Sequence, residues 1–178
     1  NNTITSVLSR GAGGYGILIS TTTDSSGHKD LEIIGNTIDD ITGAWANGIS
    51  LDGNTPAADV LNNIVNNVGP GAAVWFDSNP GFDSVNVNRN NLDVGSLNMG
   101  IGLHTNIGAA PDEAVNSECN WWGDVDGPDA EVNPKASPLP SPIDLPGLGS
   151  LVTPNVDYDP WLLSDDLDGP CPGAKLTL

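Results

Sequence analysis

The chain has 178 residues, of which 38% are hydrophobic, and it carries 23 acidic residues against 5 lysines and arginines, a formal net charge of −18. A surface this negative repels nucleic acid and anionic lipid, so we expect neither as a direct partner. No apolar run approaches the length of a membrane span, and no leader of basic and apolar residues opens the sequence, so we expect no membrane insertion. The acidity suits calcium-rich or saline surroundings, and it equally serves to keep a secreted protein soluble.

Asparagine-led segments recur along the chain and define its repeat. They begin at Asn2, Asn36, Asn63, Asn90 and Asn120, at intervals of 34, 27, 27 and 30 residues. Short alternating runs precede the later asparagines and begin at Leu31, Ala58, Val85 and Val115. A third set of apolar runs lies between the other two and begins at Gly16, Gly48, Ala73 and Gly100. The repeat unit is therefore three short strands.

Strands this short bury their alternate apolar residues only by stacking on equivalent strands one repeat away. We therefore predict an all-β fold, a right-handed parallel β-helix (solenoid) of about four to five three-strand coils. The handedness follows from the general chirality of parallel crossovers. The asparagines should lie at a turn, in left-handed backbone, and bond their copies above and below. An antiparallel sandwich also uses short strands, but it does not require one strand order with Asn at one register.

The composition changes after Asn120, where a stack of coils needs an end that covers its core and strand edges. We predict β-helix coils over residues 1–125, then a Pro/Gly-rich wrap and irregular Trp/Pro-rich C-terminal cap over 126–162. An acidic tail follows over residues 163–178, and its last residues, 174–178, alternate like a strand. That strand could be exchanged onto the edge of a neighbouring chain.

The end of the stack resembles a known family in its motif. The residues concerned are Asn120-Trp121-Trp122-Gly123, Gly127-Pro128, Gly147-Leu148-Gly149 and Val156-Asp157-Tyr158-Asp159-Pro160-Trp161-Leu162. With the asparagine-led repeats, they are similar to bacterial and archaeal right-handed parallel β-helix repeat proteins over roughly residues 1–162. The resemblance implies the fold and an extracellular or cell-surface setting. It leaves activity open, because such domains occur in adhesins, cell-wall proteins and polysaccharide-active enzymes.

The two cysteines, Cys119 and Cys171, have neither a CxxC spacing nor clustered histidines around them. A metal or redox motif is therefore not indicated. In an exported protein the default is one disulfide, which here would tie the tail to the body of the protein. Two separate thiols are the alternative.

Catalytic chemistry is sparse in this chain. Asp52 and Asp77 align in adjacent coils after the middle strand and are the weak candidates for a pair of glycosidase carboxylates. A solvated edge explains them as well. Arg89 alone among the basic residues lies within the repeated strands, and an exposed charge at a turn accounts for it equally. We therefore favour a protein that is not an enzyme.

Two features point to ligands. Asp124, Asp126 and Asp129 space carboxylates as oxygen-ligand loops often do, which indicates structural Ca²⁺, although the full calcium-loop pattern is absent and a solvated acidic turn is the alternative. Trp75 should point outward, because its neighbours Val74 and Phe76 point inward. It would then serve as a platform for a sugar ring or as a packing interface.

Two functions from different classes fit these observations. The first is a non-catalytic extracellular or cell-surface structural module, such as an adhesin or a filament subunit that self-associates by end-to-end stacking or strand addition. The second is a polysaccharide-binding or polysaccharide-cleaving β-helix domain that uses the outer groove and Trp75.

Overall fold

The computed structural model describes residues 1–9, 13–20, 30–53, 57–77, 84–95, 98–103, 115–129, 149–152 and 156–171. All regular secondary structure in these ranges is β-strand, and none of it is helix. Most of the predicted wrap and the predicted exchanged strand, residues 174–178, lie outside the described residues. Of the lysines and arginines, Arg89 lies within them.

Eleven strands make up the described chain. They are β1 (Thr3–Leu8), β2 (Gly14–Ser20), β3 (Leu31–Ile34), β4 (Thr37–Asp52), β5 (Ala57–Leu61), β6 (Ile64–Asp77), β7 (Ser84–Asn88), β8 (Met99–Leu103), β9 (Val115–Asn116), β10 (Leu151–Val152) and β11 (Val156–Asp157). They form two sheets in which every pairing is parallel. The first sheet has the order β1-β4-β6-β8-β10, with β2 also paired to β4, and the second has the order β11-β9-β7-β5-β3. The predicted all-β class and parallel pairing are confirmed.

Each strand pairs with its equivalent one repeat away, as the stacking of short strands requires. Ile17 pairs with Ile49, Ile49 with Val74, and Val74 with Ile101, which gives an inward column of the first sheet. In the second sheet, Leu31 pairs with Ala58 and Ala58 with Val85. Both columns agree with the repeat read from the sequence.

The asparagine-led run and the middle run join into one long strand, which differs from the predicted three separate strands. β4 and β6 each pass through both runs because backbone pairing continues around the bend. At the bend, β4 uses three residues between Thr42 and Ala46, where β6 uses one residue between Gly69 and Gly71. The three-residue bulge in β4 ends on Trp45, whose side chain is 61% exposed.

The asparagines do not themselves lie in left-handed backbone, so this part of the prediction is wrong. The left-handed residue is the one before each asparagine: Gly35, Asn62, Arg89 and Cys119, with φ of 68°, 55°, 55° and 60°. The turn is therefore made one residue earlier. This leaves the side chains of Asn36, Asn63, Asn90 and Asn120 pointing into the stack, where they are buried.

The core is a continuous column of side chains between the sheets, aliphatic except for Phe76 and Trp122. Ile38, Ile49, Leu51 and Val60 are fully buried in its middle. Burial decreases toward β1, β2 and β3. Apart from Ile33, which is 5% exposed, the apolar side chains there that pack on the core are only partly buried. They are Ile4, Val7, Ile17, Ile19 and Leu31.

Candidate functional site

An asparagine ladder runs through the stack from Asn2 to Asn120. At each step the backbone N–H and the side-chain Nδ2 of one asparagine donate to the Oδ1 of the next. For Asn36 and Asn63 the two distances are 2.9 and 3.0 Å, and for Asn90 and Asn120 they are 2.8 and 3.1 Å. One carbonyl oxygen thus accepts two hydrogen bonds, so its acceptor capacity is used fully.

A further hydrogen bond ties this ladder to the second sheet. Nδ2 of Asn63 donates to the backbone oxygen of Ile33, and Nδ2 of Asn90 donates to that of Val60, both at 2.8 Å. Asn120 bonds the backbone oxygen of Val87 in the same way. These side chains are wholly buried, where an unpaired amide would be costly. The ladder therefore specifies the register of the stack.

Trp161 occupies the next register position above Asn120. The residue after each ladder asparagine donates its N–H to the asparagine one repeat earlier, and Leu162 does so to the oxygen of Asn120 at 2.9 Å. Trp161 therefore stands where the next asparagine would, and it has no side-chain oxygen to continue the ladder. Its Nε1 donates instead to the backbone oxygen of Val125 at 3.0 Å. The ladder ends here.

Trp122 covers the core at the same end. It is fully buried and lies against two glycines. A Cβ added to Gly100 would lie 2.8 Å from the ring of Trp122, and a Cβ added to Gly149 would lie 3.0 Å from the Cβ of Trp122. The segment 149–152 then adds β10 to the first sheet, and Val156–Asp157 adds β11 to the second. The tryptophan-rich segment therefore lies over the last coil, where the sequence predicts a cap.

The described part of the tail is anchored at the left-handed turns. The expected disulfide is present between Cys119 and Cys171, with 5.4 Å between their Cα atoms. One turn lower in the stack, Nη1 of Arg89 donates to the backbone oxygens of Leu167 and Gly169 at 2.9 and 3.1 Å. Arg89 is half-buried, not the exposed charge that the sequence suggested. Its role was missed because the tail is 78 residues away along the chain.

A polar column lies on the outer face of the second sheet. Glu32 pairs with Asp59, and Asp59 with Asn86. Nδ2 of Asn86 donates to Oδ1 of Asp59 at 2.8 Å, and Nδ2 of Asn116 donates to Oδ1 of Asn86 at 3.1 Å. The acidic members thus lie toward β3, and the amides lie toward the capped end. A shallow groove near β3 is lined by Asp30, Glu32 and Asp59 among others.

Asp52 and Asp77 pair in adjacent strands of the first sheet and are both half-buried. The Oγ of Ser20 donates to Oδ2 of Asp52 at 3.2 Å. Arg89 lies at a turn after β7 in the other sheet, and its guanidinium donates to the backbone oxygen of Leu167 in the tail, not to either carboxylate. The two carboxylates are therefore neighbours, in a column that also contains a hydroxyl, and they stay weak candidates for a catalytic pair.

Of the acidic residues proposed for calcium, Asp124 and Asp126 lie in one turn, and Asp129 follows it in a bridge to the first sheet. Oδ1 of Asp124 accepts the N–H of Asp126 at 2.9 Å, and the backbone of Asp129 pairs with Leu151. Oδ1 of Asp166 accepts the N–H of Asp168 in the same manner, at 3.2 Å. Within the described ranges, no three or more Asp, Glu, His or Cys side chains are grouped to hold a metal ion. Binding of calcium by Asp124, Asp126 and Asp129 stays a prediction.

Trp75 lies between Ser50 and Gly102 in the register of the first sheet. It is half-buried, and Ser50 beside it is only 3% exposed, although Leu18 on the far side of Ser50 is 48% exposed. The more exposed aromatic is Trp45 on the bulge. Sequence reasoning missed it because the bulge exists only relative to the partner strand. The pattern of one chain segment does not contain that signal.

Comparison of the chain with protein-family models, with curated proteins and with solved structures gave no match. In the part of the chain that the structure describes, no helix has the length and apolar character needed to cross a membrane. The features of the molecule that bear on function are the ladder, the covered end, the β1–β3 end and the outer faces of the two sheets.

Proposed function

We propose that this chain is a non-catalytic extracellular or cell-surface structural module that associates with copies of itself. The observation that carries the proposal is the difference between the two ends of the core. At one end Trp122, Val156 and Leu162 are buried, although Val152, Tyr158 and Trp161 beside them are partly buried. At the other end, Ile4, Val7 and Ile17 are only partly buried, and β1 and β2 contain no buried apolar side chain. Incompletely covered apolar side chains next to edge strands are a surface on which another chain gains both hydrogen bonds and burial.

The comparison within single columns supports this reading. Ile4 pairs with Ile38, and Val7 pairs with Ile41. The two partners in β4 are fully buried, and the two in β1 are not. Aliphatic side chains in the same column thus lose their cover at the outermost strand, and covering them would add roughly 1 kcal/mol or more per residue.

We assign the fold, within this proposal, to the right-handed parallel β-helices of the bacterial and archaeal repeat family that the terminal motif resembles. Support comes from the parallel pairing of every described strand, since parallel crossovers in one sheet are overwhelmingly right-handed. The Trp122 and Trp161 positions at one end of the stack agree with the place of that motif. An extracellular setting is supported by the disulfide, which persists in oxidising compartments.

Sedimentation equilibrium and electron microscopy over a range of protein and salt concentrations test self-association. We expect assembly to increase with salt, because a net charge of −18 repels copies from each other. Val7→Lys should reduce assembly by charging the partly buried end. Leu8→Lys is the matched control, since Leu8 is 68% exposed on the same strand. A strictly monomeric protein at high concentration and high salt would contradict the proposal.

Polysaccharide binding is the second candidate, favoured by the exposed Trp45 with Tyr15, which is 40% exposed on β2. Exposed aromatic rings are amphipathic contact surfaces that lose little entropy on binding. Binding to a panel of polysaccharides should weaken in Trp45→Ala and persist in Trp122→Phe. Release of reducing or unsaturated ends that is lost in Asp52→Asn or Asp77→Asn would indicate cleavage as well.

A further inference from the structure

We infer that residues 174–178 of one copy add as a strand to the free side of β3 in a second copy, where Lys175 faces Glu32. The inference rests on the proposed self-association and names its contact. The occupant is a segment of this same chain, beyond the described residues, and the acceptor is Leu31–Ile34 at the end of the second sheet.

The acceptor edge has unfilled pairing and incomplete burial. β3 pairs with β5 and ends the order of its sheet, so the backbone groups on its other side have no strand partner within the described chain. Leu31 is partly buried, whereas Ala58 and Val85 in the same column are 3% and 1% exposed. A further strand would therefore bury Leu31 as fully as Ala58 and Val85 are buried in the next coils.

The tail has the alternation that this column requires. The acceptor strand presents Leu31 and Ile33 inward and Glu32 outward. Ala174, Lys175 and Leu176 repeat the same apolar, charged, apolar order. With the two apolar tail residues placed over the inward positions, Lys175 falls opposite Glu32 whichever way the added strand runs.

Charge distinguishes this edge from the edge of the first sheet at the same end of the stack. Glu32 is exposed, Asp59 lies next to it in the outer column, and Asp30 lines the same groove. The strands of the first sheet at that end, β1 and β2, contain no charged residue. A lysine between carboxylates is stabilised, and it also reduces the repulsion between two copies of charge −18. Lys175 therefore selects β3.

The length of the tail directs it to another copy. Cys171 is fixed to Cys119, which follows β9, and the docking place beyond β3 is four strand spacings away, about 19 Å. The three residues from Cys171 to Ala174, fully extended, together with the 5.4 Å between the Cα atoms of the disulfide, allow Ala174 to lie at most about 16 Å from Cys119. The chain's own β3 is out of reach. The place just beyond its own β11 is about 10 Å away, so a second copy stacked on that end can be reached.

The test compares the dissociation constants of the whole chain and of its variants by sedimentation equilibrium. We expect loss of assembly in a chain ending at residue 173, and weakening of about tenfold in Lys175→Glu, since a favourable pair becomes a repulsive one. Glu32→Lys combined with Lys175→Glu should restore most of the affinity. Lys135→Glu is the matched control, because it changes the net charge equally, and it should leave assembly close to that of the unaltered chain.

A peptide of residues 172–178 separates this inference from the proposed function. Added to the chain ending at 173, it should bind and should slow hydrogen exchange of the amides in β3. If the shortened chain assembles as well as the whole chain and the peptide does not bind, the tail inference is overturned and self-association stands. If the whole chain is monomeric yet the peptide binds and protects β3, the docking site stands and the assembly proposal falls. Monomeric protein with no peptide binding overturns both.

Discussion

Nδ2 of Asn63 and the backbone N–H of the same residue both donate to Oδ1 of Asn90, at 3.0 and 2.9 Å. The same pair of hydrogen bonds repeats at every step from Asn2 to Asn120. Each asparagine thus depends on the one above it for its acceptor. A shift of one strand by a single residue would leave these buried amides unpaired, which gives the stack one favoured register.

Removal of a central asparagine should destabilise the fold strongly. In Asn63→Ala, the N–H and Nδ2 of Asn36 lose their acceptor inside the core, so we expect a loss of roughly 2–4 kcal/mol in the free energy of unfolding. Asn2→Ala is the control, because Asn2 is exposed at the end of the ladder, and its loss should be below about 1 kcal/mol. Urea denaturation measures both. Equal losses would refute the cooperative role of the buried ladder.

The two tryptophans at opposite extremes of burial should respond differently to truncation. Trp122 is fully buried against Gly100, so Trp122→Ala should cost about 3–5 kcal/mol. Trp45 is 61% exposed, and Trp45→Ala should change the stability by less than about 1 kcal/mol. Thermal unfolding followed by circular dichroism distinguishes the two. A mild effect of the Trp122 change would show that the cap contributes little to the core.

Arg89 should hold the tail without being needed for the fold. Arg89→Asn removes the guanidinium that binds the oxygens of Leu167 and Gly169. The asparagine that it introduces tolerates φ near 55°, and the equivalent turn one repeat earlier is already made by Asn62. We expect faster hydrogen exchange over residues 163–171 with little change in the exchange of β5 and β7. Unchanged exchange in the tail would mean that the disulfide alone anchors it.

Calcium should stabilise the protein if Asp124, Asp126 and Asp129 bind it. Stability then rises with the ratio of free calcium to its dissociation constant, so the melting temperature should be higher in Ca²⁺ than in a chelator. Asp129→Asn should remove this difference, whereas Asp166→Asn, in the other acidic turn, should not. A melting temperature that does not respond to calcium contradicts the site.

The interior columns were predictable because alternation and repeat length are properties of the chain itself. Ile17, Ile49 and Val74 fall in one column because the same strand recurs at the same place in each repeat. The position of the left-handed residue was not predictable in this way. Gly35, Asn62, Arg89 and Cys119 have no common side-chain chemistry, and what they share is a backbone conformation imposed by stacked turns. The neighbouring asparagine is the more conspicuous signal, but the turn is made one residue before it.

By itself, the sequence determined the strand periodicity, the register of the asparagines and the excess of negative charge, since these depend only on residue order and type. The tertiary structure decided which residues meet across long separations. Arg89 meets Leu167, and Cys119 meets Cys171, only because the tail folds back along the turns of the stack. Trp161 takes the position above Asn120 only because Leu162 bonds back to that asparagine. Such contacts depend on the path of the chain through space, and no local pattern encodes that path.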